Sequence, residues 1–309
     1  MLAGISGMAT PPMRQLLSEA IARRAPLPDA ATDAFRVFDG IGDGLRDLEI
    51  DEFAGRWLVS TRDRRLPDGA LDAFRESGRS IYHKRLDQQQ KESPEHLCGP
   101  EQDEPFVARE NGLNYEISFQ SGYSQGIFLD QRDNRLRLRE ESTSGPTLLN
   151  TFAYTGAFSV SAAAAGAETT TLDLSQPYLD WAKRNMLLNG IDPATQHFCK
   201  GDTFHWLRRF AKQGRKFDSI VLDPPTFSRD KDGKVFRVEK DYTRLVALAA
   251  ACLEKGGRLL ACTNCRQLTD RAFESQVRAG FDRPVRIESS PMPPDFTAPP
   301  YLKSLWVMG

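Results

Sequence analysis

Long hydrophobic runs are absent from this chain. No stretch approaches the roughly 20 apolar residues of a membrane span, and the opening MLAGISGMATPPMRQ lacks the basic-then-apolar order of a secretory leader. The expectation is a cytoplasmic protein with no membrane partner. Charge of one sign is absent too: 41 Lys and Arg stand against 42 Asp and Glu, for a formal net charge of −1. No global field gathers polyanions, so any basic surface must be local. Cysteine is scarce and odd in number, five in all, with Cys98, Cys199 and Cys252 scattered, so no disulfide framework is expected. Cys262 and Cys265 form one C-x-x-C without a second pair. His83, His96, His197 and His205 show no ligand spacing, and no metal site is expected. What remains is 40% hydrophobic residues over 309 positions, enough to core one large domain or two modest ones.

The chain is organised around residues 147–175, TLLNTFAYTGAFSVSAAAAGAETTTLDLS. An apolar run from Leu148 meets Thr155-Gly156, Ala157 to Ala165 is alanine-rich and helix-favouring, and a β-branched run from Thr169 ends at Asp173. The pattern is strand, tight turn, helix, strand, acid. Gly156 falls where a backbone turns sharply and comes close to a ligand. Asp173 falls at the carboxyl end of a parallel strand, where doubly wound folds bind nucleotides and a carboxylate can take both ribose hydroxyls. A dinucleotide site needs a G-x-G-x-x-G run to admit a pyrophosphate, and Tyr-Thr-Gly-Ala-Phe offers none. S-adenosylmethionine has no phosphate and keeps the ribose acid. An ordinary strand, turn and helix with a capping aspartate fits the same residues.

Before this stretch, residues 1–32 read as a proline-bearing arm around a short helix from Met13 to Arg24. Residues 33–140 read as a small α+β domain: short alternating strands with Asp39-Gly40 and Asp43-Gly44 turns, a helix from Asp68 to Ser77, a polar loop from Lys91 to Glu104, and a hairpin at Asn111-Gly112. The joint SGYSQGIFLDQRDNRLRLREES places Phe128, Asp130 and Arg132 at the mouth of a pocket, or else simply begins a solvated helix. Residues 141–309 alternate strands and helices: HFCKGD ends at Asp202, FDSIVLDPP runs out at Asp223-Pro224-Pro225, RLLACTN follows, and 285–288 with 302–308 suit a closing antiparallel hairpin.

Gly156, Asp173, Asp202 and Asp223-Pro-Pro thus stand at four successive strand ends, which converge on one crevice in an open α/β sheet. Asp202 is placed to accept from an adenine amino group or to cap the helix at Thr203. Paired prolines fix φ and supply no N–H, leaving rigid carbonyl acceptors for a planar amine or base. A plain turn explains them as well. Phe227 can stack on such a base, at about 1–3 kcal/mol, or fill a core.

The motifs LNTFAYTGAFSV, DLSQPYLDWAKRNMLLNG and FDSIVLDPPTFSRDK, with the preceding QGIFLDQRDNR, resemble in residues and in order the class I S-adenosylmethionine-dependent methyltransferases that modify bacterial large-subunit (23S) ribosomal RNA. The resemblance runs from about Phe35 to the C-terminus. It implies a Rossmann-like α/β fold with a seven-stranded methyltransferase sheet and an N-terminal small α+β domain. It also implies S-adenosylmethionine as cofactor, with Phe152, Tyr154, Thr155 and Gly156 along the methionyl part. Asp173, with Leu174 and Ser175, would hold the ribose, Asp202 and Thr203 the adenine, and Phe128, Asp130 and Arg132 the far side. Asp223, Pro224, Pro225 and Asn264 would be catalytic, with Phe227, Arg229 and Tyr242 against the substrate base. Members that methylate cytosine C5 usually carry an RNA-binding module ahead of the small domain, and here only about 32 residues precede it. RNA docking then falls to local basic clusters: Arg208, Arg209, Lys212, Arg215 and Lys216, or Arg229, Lys231, Lys234, Arg237 and Lys240.

Methylating cytosine C5 needs a thiolate at the crevice. Cys262 and Cys265 lie at the end of the fifth strand, but the family's nucleophile falls in register on Asn264, and the TN of CTNCR resembles the guanine-modifying branch. Methylating a guanine nitrogen needs alignment and no covalent step, with Asp223 and Asn264 holding polar edges of the base. The expectation is transfer to a base of 23S ribosomal RNA, guanine nitrogen ahead of cytosine C5, with a small-molecule or protein methyltransferase as the alternative.

Overall fold

Alternating apolar residues set the first strands of the chain, and continuous apolar runs set the later ones. A computed structural model describes residues 12–62, 65–87, 92–122, 124–142, 146–229 and 235–308, without the side chains of residues 228 and 229. The chain divides into two compact units.

The first unit takes residues up to Gly112, Ile117–Gln125 and Pro294–Ala298. Its elements are α1 (Met13–Arg24), β1 (Ala34–Asp39), β2 (Leu48–Phe53), β3 (Arg56–Thr61), α2 (Ala70–Glu76), β4 (Ser80–Arg85), β5 (Glu95–Cys98) and β6 (Phe106–Glu110). The strands β1 to β5 pair in sequence order, antiparallel except for β3 with β4. Alternate residues Val37, Leu48, Ile50, Trp57, Val59 and Ile81 form a core with Met13, Leu16, Leu17 and Ala20 of α1 and Phe74 of α2. The expected arm is therefore packed structure where it is described. The polar stretch expected to be a loop supplies β5, an edge strand whose exposed residues carry no apolar alternation.

The second unit takes Leu113–Glu116, Gly126–Pro293 and Pro299–Gly309. Its elements are β7 (Leu113–Ile117), α3 (Arg132–Glu140), β8 (Thr147–Thr151), α4 (Ala157–Ala163), β9 (Glu168–Asp173), α5 (Gln176–Leu187), β10 (His197–Lys200), α6 (Thr203–Lys212), β11 (Phe217–Leu222), β12 (Phe227–Arg229), β13 (Val235–Arg237), α7 (Val238–Ala250), β14 (Leu253–Thr263), α8 (Asp270–Ala279), β15 (Arg286–Ser290) and β16 (Lys303–Met308). The division does not follow the expected break at residue 140. Leu138 of α3 joins the core beside Phe158 and Ala162 of α4, and Ser161 Oγ donates to the Arg135 carbonyl at 2.8 Å.

Seven strands form one sheet in the order β10-β9-β8-β11-β14-β16-β15. The first five run parallel, and β16 and β15 close the sheet as the expected antiparallel hairpin. Ile220, Leu222, Leu259 and Ala261 face the helices α6, α7 and α8, while Val221, Leu260 and Cys262 face α3 and α4. Burial on both faces explains why FDSIVL and RLLAC read as unbroken apolar runs. Among the described residues no helix is long and apolar enough to cross a membrane, and no group of acids, histidines and cysteines could hold a metal.

Candidate active site

Register brings the strand ends level. Thr151 of β8 pairs with Leu172 of β9 and with Leu222 of β11, Leu222 pairs with Ala261 of β14, and Asp173 pairs with Lys200 of β10. Phe152, Asp173, Asp202, Asp223 and Cys262 therefore follow in one row along the carboxyl edge. Chain order steps outward from β8 to β9 and β10 on one side, and from β11 to β14 on the other. The gap between β8 and β11 is the topological switch point, where open α/β sheets bind ligands.

The loop after β8 is tightly wound. Phe152 (φ 52), Tyr154 (φ 50) and Gly156 (φ 75) all adopt left-handed backbone, at about 1–2 kcal/mol for each residue that carries a Cβ. Hydrogen bonds offset that cost. The Tyr154 N–H donates to Asp173 Oδ2 at 2.9 Å, the Ala153 N–H donates to the Leu172 carbonyl at 3.1 Å, and Asn185 Nδ2 of α5 donates to the Thr155 carbonyl at 3.0 Å. A Cβ on Gly156 would come within 2.6 Å of the Ala182 Cβ. What approaches this glycine is helix α5, so close helix packing as well as the turn requires it.

Asp173 is half-buried, and its second oxygen accepts the Ser175 N–H at 2.8 Å. Burial pushes its carboxyl up, against the backbone N–H groups of Ser175, Tyr154 and Leu174. No cation pairs with it among the described residues, so it enters the row as an anion satisfied only by backbone. Asp202 caps α6, accepting the His205 N–H at 2.8 Å, with Thr203 buried behind it. Such a cap stabilises by about 1 kcal/mol.

Asp223 sits across the switch point. Gln131 Nε2 donates to its Oδ2 at 2.9 Å. Burial, reinforced by the nearby Asp130 carboxylate, pushes Asp223 up to about 7, against the Gln131 hydrogen bond and the Arg135 charge. A carboxylate at that value can accept and release a proton near neutral pH. Asp130 in turn accepts from the Tyr301 hydroxyl at 2.9 Å.

Three large apolar side chains stay open at these strand ends: Phe128 is 50% exposed, Leu174 49% and Phe227 51%. The Phe128 ring lies 5.3 Å from that of Tyr154, which also packs on Tyr178 at 4.7 Å. The Tyr154 hydroxyl is buried with no well-formed hydrogen bond among the described residues, beside the Gly126 carbonyl. Asn264 is exposed and tied to the turn after β11, its Oδ1 accepting from Thr226 Oγ1 at 2.7 Å. Pro224 is buried and Pro225 exposed. Arg132 is buried at the start of α3, with Nε 3.3 Å from Asp133.

Other expected residues are placed elsewhere or not described. Tyr242, expected against substrate, is fully buried in α7, its hydroxyl 3.1 Å from the Leu222 carbonyl and 2.9 Å from the Cys262 carbonyl. It clamps two strand ends from beneath and cannot meet a substrate. Cys262 is fully buried, with burial and Asp223 pushing its thiol well up, and Cys265 is 2% exposed with Sγ 3.4 Å from Glu239. The Arg229 side chain, Lys231 and Lys234 lie outside the described residues. Gln131 and Asn134 lie within the QGIFLDQRDNR motif but carried no expected role, and Tyr301, Ser304 and Trp306 join the site outside any sequence motif.

The sequence profile of the S-adenosylmethionine-dependent methyltransferase family matches residues 73–307. YwbD of Bacillus subtilis (strain 168), a candidate ribosomal RNA large subunit methyltransferase, is 35% identical over 91% of this chain and 74% of its own length. Ribosomal RNA large subunit methyltransferase K of Neisseria meningitidis serogroup B is 37% identical over 62% of this chain and 53% of its own. Ribosomal RNA large subunit methyltransferase I of Aeromonas salmonicida is 34% identical over 79% and 64%. The chain thus spans about half to three quarters of these relatives. The crystal structure of SMU.776, a candidate methyltransferase complexed with SAH, superposes with a TM-score of 0.89 at 30% identity, over 96% of this chain and 80% of that one.

Proposed function

This chain belongs to the S-adenosylmethionine-dependent methyltransferase family, and from that premise we propose that it methylates a base nitrogen, guanine first, of large-subunit (23S) ribosomal RNA. The observation that carries the reading is Asp223: a carboxylate poised near neutrality at the switch point, with no usable thiolate beside it.

The residues present fit the cofactor. The loop from Phe152 to Gly156 has no pyrophosphate cradle, and among the described residues the Asp173 carboxylate has no cation to satisfy and the buried Tyr154 hydroxyl has no well-formed hydrogen bond. In this reading Asp173, flanked by Leu174 and Ser175, takes the ribose hydroxyls and Asp202 with Thr203 takes the adenine. The methionyl part lies along Phe152 to Gly156, with Phe128, Asp130 and Arg132 beyond it. Bound S-adenosylmethionine would supply an electrophilic sulfonium methyl, with the neutral thioether S-adenosylhomocysteine as leaving group, and the acceptor nitrogen would give up a proton on taking the methyl. Asp223 holds the amine by accepting its hydrogen bond and stands ready for that proton, while Phe227 offers an exposed ring for the base. The Cys262 thiol, raised by burial, supplies no thiolate, and Cys265 is only 2% exposed, so neither favours the covalent route to cytosine C5.

The relatives' names support ribosomal RNA as the substrate, and a ribosomal RNA substrate supports a cytoplasmic reaction. Phosphate contacts fall to the exposed face of α6. Arg208, Arg209 and Lys212 form no ion pair among the described residues, and the Arg209 guanidinium stacks 4.9 Å from the Trp206 ring. The test is transfer of labelled methyl from S-adenosylmethionine to 23S RNA from cells lacking the gene. Label in one methylguanosine supports the reading, and label in 5-methylcytidine sinks the nitrogen mechanism. Replacing Arg208 and Lys212 with alanine should lower the slope of RNA affinity against salt by about one per residue.

A further inference from the structure

Behind Asp223 lies a chain of buried polar groups that neither the motifs nor the relatives assign. Trp306 Nε1 of β16 donates to Asn134 Oδ1 at 3.2 Å. Asn134 Nδ2 donates to Gln131 Oε1 at 2.7 Å and to Ser304 Oγ at 2.9 Å, and Gln131 Nε2 donates to Asp223 Oδ2 at 2.9 Å. Trp306, Asn134, Gln131 and Ser304 are each 1–3% exposed.

The direction of this chain is forced from its far end. An indole N–H can only donate, so Asn134 must turn its oxygen to Trp306 and its NH₂ to Gln131. Gln131 must then meet that NH₂ with its own oxygen, which leaves its NH₂ for Asp223. A flipped amide anywhere would bury two donors or two acceptors face to face, and an unsatisfied buried polar group is costly. We propose that Trp306, Asn134 and Gln131 form a directional relay that holds the Asp223 carboxylate in one orientation as an acceptor, with Gln131 a positioning residue for methyl transfer. The inference rests on the role given to Asp223 above.

A neutral amide does here what a cation does at an ordinary buried carboxylate. It favours the ionised form without cancelling its charge. The other groups facing Asp223 are Asp130, which opposes ionisation, Arg135, which favours it, and the neutral Tyr242 hydroxyl and Cys262 thiol. Removing the Gln131 donor leaves the opposing influences of burial and Asp130 less checked, so the Asp223 value must rise.

The relay is tested with Gln131→Met, which keeps length and loses the donor, and Trp306→Phe, which removes one N–H three hydrogen bonds away from Asp223. Each is assayed beside Asp223→Ala for labelled methyl transfer to 23S RNA from cells lacking the gene, between about pH 5 and pH 9, with cofactor affinity by calorimetry. The expected result is an acid limb displaced upward from about 7 in both variants. Neutral-pH kcat should fall about tenfold in Gln131→Met and less in Trp306→Phe, with cofactor affinity and KM unmoved. An unshifted limb and unchanged kcat in Gln131→Met, with Asp223→Ala inactive, overturns the relay alone, whether or not Trp306→Phe folds. Full transfer by Asp223→Ala overturns the role of Asp223 and the relay with it.

Discussion

Both units bury carboxylates whose pKa burial raises, yet the two treat them differently. In the first unit, Asp51 faces Arg36 and Lys84, with Arg36 Nε 2.6 Å from its Oδ1, and Glu52 takes Arg79 at 3.0 Å and the Trp57 indole N–H at 2.6 Å. In the second unit, Asp173 has only backbone N–H groups and Asp223 an amide, and no ion pair reaches either among the described residues. A raised carboxylate is therefore not a site marker by itself. A raised carboxylate left without a cation keeps its negative potential for something that arrives later.

The largest effect should come from breaking the second unit's side of this contrast. Asp223→Ala should lower transfer by about 10²–10⁴-fold while calorimetry finds cofactor affinity intact. Equal loss of both would erase the distinction between the two acids. Asp173→Ala should weaken cofactor binding by roughly a hundredfold or more, since at least two hydrogen bonds to a charged group go at once. Unchanged affinity would show that Asp173 serves only to pin the loop.

Gly156→Ala sharpens the comparison by touching no charge. Its Cβ would crowd Ala182 at φ 75, so thermal denaturation should show a loss of roughly 2–4 kcal/mol. A melting curve like the parent's would mean that α5 yields. Glu52→Gln, in the first unit, should cost about 1–3 kcal/mol of stability and leave kcat and cofactor affinity alone. A fall in transfer there would break the contrast from the other side.

A further effect is one of pH. Asp223 lies above its ordinary value in the folded state, so the folded protein binds the extra proton, and stability falls as pH rises from about 4 to about 7. Asp223→Asn removes that cost, so its melting temperature should exceed the parent's at pH 8 and the gap should close near pH 4. A constant gap would place the titration elsewhere.

The seven-stranded sheet was legible because its signals are local: unbroken apolar strands, β-branched runs and glycine stops. The row Gly156, Asp173, Asp202 and Asp223 was legible because chain order plus parallel pairing fixes which strand ends are neighbours. Tyr242 was misplaced since an aromatic after DPP reads alike whether it faces a ligand or clamps the strands from beneath. The left-handed Phe152 and Tyr154 left no trace, as neither residue type favours that backbone. The relay was invisible for a plainer reason: Asn134 and Trp306 are 172 positions apart, and a hydrogen bond between distant side chains has no periodicity to betray it.

The central claim is that an unpaired, near-neutral Asp223 directs methyl transfer to a base nitrogen of large-subunit RNA, and nucleoside mass spectrometry on 23S RNA tests it most directly. RNA would be compared from cells carrying the gene, lacking it, or carrying Asp223→Ala. The account predicts that one methylguanosine disappears on deletion and is not restored by Asp223→Ala. A nucleoside profile identical in all three, with no labelled methyl entering RNA in vitro, would contradict it.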